Sequence, residues 1–177
     1  EVYLKDLTER HHIQYSAMME KLMNVISSDI GSLTNLRKLE RTFKSEMGET
    51  LSVNTIGKYL EYMEDAFMIS KCERYDVKGR KYISTQQKYY FTDLGLRNAW
   101  LNFRQYEETH LMENAIYNEL RNRGYSVDVG VVDILECQAD GKYIRKQIEI
   151  DFVATMADRR FYTQSALSIA APDKRAQ

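Results

Sequence analysis

The sequence predicts an α+β chain in two parts. The first part is helical and closes with a β-hairpin; the second is strand-rich and is led by one helix. Three observations carry this reading. Apolar residues recur at helical spacing through residues 15–69, and they alternate at strand spacing through residues 147–153. Punctuation is sparse, with eight Gly and one Pro in 177 residues, so connections are expected to be short.

The elements follow in order. Residues 1–13 read as a short helix with Val2, Leu4 and Leu7 as its apolar positions. Adjacent His11 and His12 would point about 100° apart on a helix, which suits a structural role better than a shared metal. Residues 15–28 put Tyr15, Met18, Met19, Leu22, Val25 and Ile26 on one helical face, with Gly31 placed to end the helix. Residues 32–47 repeat the pattern with Leu33, Leu36, Leu39 and Phe43 inside, Arg37, Lys38, Arg41 and Lys44 outside, and Gly48 beyond. Residues 51–69 form a third helix with Ser52 as N-cap. Its stripe is Val53, Ile56, Leu60, Met63 and Phe67, and Asn54, Thr55 and Lys58 occupy the free face of its first turns. Residues 72–84 hold two strand-like runs joined at Lys78-Gly79, and residues 88–91 read as a separate strand.

Thr92 and Asp93 cap a helix over residues 94–101, in which Trp100 anchors packing. Residues 102–109 read as a junction. Residues 110–123 form a clear helix with Leu111, Ala115, Ile116 and Leu120 on one face and Glu113 and Glu119 as its acids, capped by Gly124. Residues 125–129 begin a sheet. Residues 131–138 and 142–153 pair across Ala139-Asp140-Gly141, an Asp-Gly turn signal.

The last hairpin carries the candidate chemistry. Ile148, Ile150 and Phe152 lie on one face of its first strand; Gln147, Glu149 and Asp151 lie on the other. A turn within residues 156–160, centred between Ala157 and Asp158, puts Asp151 opposite Gln164 and Glu149 opposite Ala166 on a second strand over residues 161–167. Opposed side chains sit about 5 Å apart at Cβ. That spacing suits a hard cation such as Mg²⁺ held by oxygen ligands. The plainer alternative is that Glu149 and Asp151 are the solvated face of a strand, and the pattern alone leaves both open.

Three helices followed by a hairpin is the order of a winged helix, in which the third helix enters the major groove and the hairpin rests on the DNA backbone. Asn54, Thr55 and Lys58 are suited to base edges or phosphates, and Arg74, Lys78, Arg80 and Lys81 to neutralising phosphates. Residues 31–92 hold 11 Lys and Arg against 8 Asp and Glu, a mild basic bias, and Glu61, Glu64 and Asp65 make the end of the third helix acidic. A winged helix used for protein packing is the alternative.

Composition bounds the rest. Hydrophobic residues at 44% and charged residues at 29% allow a core and argue against disorder. A net charge of −1 points to no partner by itself. Cys72 and Cys137 stand apart from any CxxC or Cys/His cluster, which argues against zinc and a disulfide framework and fits a reducing cytoplasm. No apolar run approaches a membrane span and no secretory leader is visible, so a cytoplasmic location without membrane contact is expected. The chain starts at Glu1 without Met and reads as a piece of a longer protein. The 13 Tyr and eight Met are read as packing residues.

A helix bearing Glu, a strand bearing Asp and a neighbouring strand bearing Gln are similar to the core of the PD-(D/E)xK nuclease superfamily. The resemblance implies Glu113, Asp151 and Gln164 as the catalytic positions, with Mg²⁺ or Mn²⁺ held by Glu113 and Asp151. Ala166 stands where the superfamily has a Lys that helps activate the attacking water. With Gln164 neutral as well, the implied site binds metal weakly and cleaves poorly.

A wider resemblance covers nearly the whole chain. YLKDLTERHHI, SLTNLRKLERTFKS, VNTIGKYLEYMEDAFMI, KYYFTDLGLRNAWLNFRQ, HLMENAIYNELRNRGY, EIDFVA and YTQSALSI resemble the C-terminal region of a group of prokaryotic AAA-type ATPases. There a P-loop ATPase domain precedes a domain of unknown function that combines a winged helix with a nuclease-like module. The resemblance implies a linker helix from the ATPase domain at residues 1–14, a winged-helix domain at residues 15–108, and a small α/β restriction-endonuclease-like domain at residues 109–177, truncated at its C-terminus. No GxxxxGK[ST] occurs, so ATP belongs to the N-terminal domain that the resemblance implies, itself a partner.

Three functions are expected from these readings. The first is a DNA-binding regulatory module with a degenerate nuclease-like domain and no activity of its own, its partner duplex DNA. The second is a metal-dependent DNA nuclease using Glu113, Asp151 and Gln164. The third is a protein-interaction or oligomerisation module coupled to the ATPase.

Overall fold

The chain is described here from a computed structural model covering residues 2–13, 16–46, 48, 50–138 and 141–168. Tyr15, the Ala139-Asp140 half of the expected turn and residues 169–177 lie outside the described residues, as do the side chains of Val2 and Leu4. The described residues form a mixed α+β fold of six helices and a five-stranded sheet. Contacts divide the chain into two compact units. One comprises Glu1–Lys71 with Thr85–Tyr106; the other comprises Cys72–Ser84 and the chain from Glu107 onward.

The first unit holds α1 (Val2–Arg10), α2 (Ser16–Ser28), α3 (Leu36–Glu46), α4 (Val53–Asp65) and α5 (Leu94–Trp100). Leu7, Met19, Leu22, Met23, Phe43, Ile56 and Met63 are fully buried in one cluster. All but Met23 are positions that helical spacing selected for the apolar faces, and Met23 joins them in the core. Helix α3 starts four residues later than its periodicity suggested. Asn35 caps it, its Oδ1 accepting from the amides of Arg37 (3.0 Å) and Lys38 (3.2 Å). Thr34 instead pairs with Gln87. Ser52 caps α4 as expected, its Oγ accepting from the Thr55 amide at 3.2 Å. Helix α4 stops at Asp65, and Phe67 takes a left-handed φ of 55° before the first strand. Asp93 caps α5 through the amides of Gly95 and Leu96.

Arg97 of α5 is fully buried. Its Nε donates to the Ser27 carbonyl at 2.9 Å, and its Nη1 donates to Asn98 Oδ1 at 3.0 Å and the Gln105 carbonyl at 2.8 Å. A buried guanidinium needs such acceptors to offset its lost hydration.

The strands are β1 (Ile69–Asp76), β2 (Lys81–Phe91), β3 (Ser126–Cys137), β4 (Tyr143–Met156) and β5 (Arg159–Thr163), in the order β2-β1-β3-β4-β5. Residues 88–91, read as a separate strand, are the end of a continuous β2. Strand β1 runs parallel to β3, with Arg74 beside Val129 and Asp76 beside Val131. The other recorded pairings, β3 with β4 and β4 with β5, are antiparallel.

In the second unit, α6 (Glu108–Asn122) packs on β3 and β4. The Tyr117 and Phe152 rings lie 6.2 Å apart. The β3–β4 ladder pairs Asp128 with Val153 but Gly130 with Ile150, so Asp151 and Phe152 both stand opposite Val129. The extra residue is a β-bulge. A Cβ on Gly130 would lie 2.7 Å from Val153 Cγ2 and 2.9 Å from Ile150 Cβ. Ile150 and Val153 therefore crowd the same side of the sheet, although residues three apart on an unbroken strand point to opposite sides. Asp151 and Phe152 share the other side, where Phe152 meets α6. Strict alternation grouped Phe152 with Ile148 and Ile150; the bulge moves it to the side of Asp151.

Candidate functional site

The β4–β5 hairpin has the register that its turn chemistry suggested. Phe152 pairs with Thr163 and Met156 with Arg159. Continued by one residue, this register brings Asp151 to Gln164. The Asp151 amide donates to Gln164 Oε1 at 3.3 Å. Asp151 is 7% exposed. Its Oδ2 accepts from the Ser165 amide at 2.7 Å and from the Ser165 hydroxyl at 2.6 Å. Ser165 is a partner that the motif reading passed over, although it sits between the two positions that reading compared. Glu113 is 8% exposed and shares the buried face of α6 with Asn114 and Tyr117. Ala166 is exposed. Among the described residues, no three His, Cys, Asp or Glu side chains gather where one ion could be held. Glu113 and Asp151 are two carboxylates, and both hydrogen bonds on the Asp151 carboxylate fall on one oxygen.

The basic set separates. Asn54 and Lys58 are exposed on the first half of α4. The Thr55 hydroxyl lies 2.9 Å from Ser52 Oγ, within the cap. Lys78, Arg80 and Lys81 are exposed at the β1–β2 turn. Arg74 stands apart from them: it is 6% exposed, and its Nη2 donates to Gln147 Oε1 inside the second unit. Its place on the row of Val129, under the α6 side of the sheet, withdraws its guanidinium from the surface. A parallel pairing across a long crossover left no local trace of this in the sequence.

Gln147 continues the chain of contacts. Its Nε2 donates to Asp133 Oδ1 at 3.2 Å. Arg145 donates to Asp133 Oδ2, and Lys78 Nζ to the Asp133 carbonyl at 3.0 Å. The Arg145 hydrogen bond, then that of Gln147, holds the Asp133 carboxyl below its usual range.

A second cluster joins Tyr75, Tyr82, Asp128 and Arg160. The two Tyr rings meet edge-on at 5.4 Å, Tyr82 donates to Asp128 Oδ2 at 3.3 Å, and the Arg160 guanidinium lies 5.2 Å from the Tyr75 ring centre. Burial pushes the Asp128 carboxyl up. The Tyr82 hydrogen bond opposes this, Glu73 adds to the rise, and Arg160 and Arg121 oppose it. A carboxyl whose folded pKa lies above its unfolded value is penalised when ionised, fully above the folded pKa and not at all below the unfolded one. Asp128→Asn is therefore expected to raise the urea midpoint at pH 7. The gain should shrink as pH falls towards the ordinary carboxyl pKa of about 4. Equal gains at both ends of that range would rule out the ionisation penalty as the cause.

The family described as Domain of unknown function (DUF8612) matches residues 1–107. The chain belongs to this family. An uncharacterised protein of Haemophilus influenzae is 33% identical over 168 residues, which cover 95% of this chain and 38% of that protein. An uncharacterised protein of Methanocaldococcus jannaschii is 28% identical over 152 residues, covering 86% of this chain and 31% of that protein. The chain thus spans about a third of the length of these curated relatives. No solved structure matches it. No helix among the described residues is long and apolar enough to cross a membrane.

Proposed function

We propose that this chain is a DNA-binding module of a larger cytoplasmic protein, with a winged-helix first part and a nuclease-like second part that has lost its chemistry. The observation that carries the reading is the exposure of Asn54 and Lys58 on the first half of α4, behind a formed N-cap at Ser52. An amide and an ammonium there can address base edges and phosphates. The succession α2, α3, α4 and hairpin, with Thr34 pairing to Gln87 between the first two helices, supports the winged-helix reading. Exposed Lys78, Arg80 and Lys81 add phosphate contacts.

The larger protein is taken to be an AAA-type ATPase whose P-loop domain binds ATP and is this module's first partner. The small share of the curated relatives that the chain covers fits that reading. The loss of cleavage is supported by Ala166 at the Lys position and by the two Ser165 bonds on Asp151. One observation favours surviving Mg²⁺- or Mn²⁺-dependent cleavage: Asp151 and Gln164 are neighbours, as the motif requires.

Fluorescence anisotropy on a labelled duplex of about 20 base pairs tests the binding. Wild type should bind with an affinity that falls steeply with salt. The double change Asn54→Ala and Lys58→Ala should weaken binding by about tenfold or more. No wild-type binding at low salt would overturn the reading. Mn²⁺-dependent cleavage of the same duplex, lost on Asp151→Ala, would replace it with the nuclease.

A further inference from the structure

Lys78 and Arg145 come from different hairpins, yet both heads touch Asp133: Lys78 at its carbonyl, Arg145 at its carboxylate. The Arg145 side chain is 74% exposed, against 30% for Asp133. The acid is therefore the inner member and the cations are the outer ones. Gln147 holds the second carboxylate oxygen and in turn accepts from buried Arg74. The nearby acid Asp76 is engaged by its own turn, its Oδ1 accepting from the amides of Lys78 (3.1 Å) and Gly79 (2.8 Å). The β1–β2 turn and strand β4 thus bring two exposed cations to one residue, Lys78 to its backbone carbonyl and Arg145 to a carboxylate whose two oxygens each accept one hydrogen bond. Cations held in this way lose less freedom on meeting a ligand oxygen than free surface lysines do.

We infer that Lys78 and Arg145, organised by Asp133, form a binding site for a backbone phosphate of duplex DNA. The inference rests on the DNA-binding reading and adds to it a contact on β4 that neither the helix nor the turn supplies. A guanidinium presents a planar fork to phosphate oxygens, and the ammonium adds a point charge beside it.

The test uses the full chain and the same labelled duplex across a series of salt concentrations. Arg145→Ala should weaken binding about five- to tenfold and lower the slope of log affinity against log salt by about one, uniformly across DNA sequences. Arg145→Lys should recover part of the affinity and the whole slope. Arg145 is exposed, so a thermal unfolding curve matching wild type is expected for both variants. If Asn54→Ala with Lys58→Ala weakens binding while Arg145→Ala leaves affinity and slope unchanged, this site is wrong and the DNA-binding reading stands. If wild type does not bind the duplex, both fall together.

Discussion

Arg97→Met is expected to lower the unfolding free energy of the first unit by about 2–4 kcal/mol, although methionine fills much of the same space. The guanidinium holds three acceptors, and the Ser27 carbonyl is fully buried with its residue. A buried acceptor left without a donor costs about 1–3 kcal/mol, and the partly buried bonds to Asn98 and Gln105 cost less each. Removing the charge also removes its desolvation penalty, which offsets part of the loss. Arg97→Lys should do no better than Met. It keeps the buried charge but cannot direct donors to three divergent acceptors. Trp100, the only Trp in the chain, lies in the same unit and donates to Asn24 Oδ1 at 2.6 Å. Its fluorescence in urea therefore reports this unit. A Met variant within about 0.5 kcal/mol of wild type would mean that Arg97 acts through its aliphatic stem alone.

The role of Arg97 was hidden in the sequence for a general reason. Charged residues on an amphipathic helix are read as solvated, and the acceptors that bury this one lie 70 and 8 residues away. Local signals fared better. Ser52 and Asp93 cap the helices their positions suggested, because a cap depends only on amides two or three residues on. The β4–β5 register followed from a short turn, which fixes every later pair once its centre is known. Asp151 and Gln164 were accordingly found as neighbours from sequence. The Asp133 cluster was legible only in part: Gln147 stands opposite Asp133 across the β3–β4 hairpin, but Lys78 reaches it only because β1 lies beside β3. That parallel pairing is made across a crossover containing β2, α5 and α6. Arg74 was misplaced on the surface for the same reason: nothing local reveals that it lies beside Val129 and donates to Gln147.

Gly130 is the signal of the bulge that the sequence did carry, a lone glycine inside a β-branched run. Gly130→Ala is expected to cost the second unit about 1–3 kcal/mol. The new methyl would meet Val153 Cγ2 at 2.7 Å and Ile150 Cβ at 2.9 Å, with the Ile150 carbonyl oxygen at 3.4 Å. Val153 is 1% exposed and has no open side to turn towards. Cβ of Ile150 is fixed to the backbone, so β4 itself must move at the bulge. The residues beside that movement are Asp151 and Phe152. The loss should therefore reach beyond packing. The Ser165 amide, bonded to Asp151 Oδ2 at 2.7 Å, should exchange with deuterium faster than the unit's overall destabilisation accounts for. The comparison amide is Val77, which bonds the Val131 carbonyl at 3.0 Å on the other flank of β3. Its exchange should speed up only by the global amount. Equal acceleration at both amides would show a uniform loss of stability and would remove the bulge as the device that aims Asp151. Selective acceleration at Ser165 would make Gly130, paired with Ile150 directly beside the bulge, the residue that sets where Asp151 points.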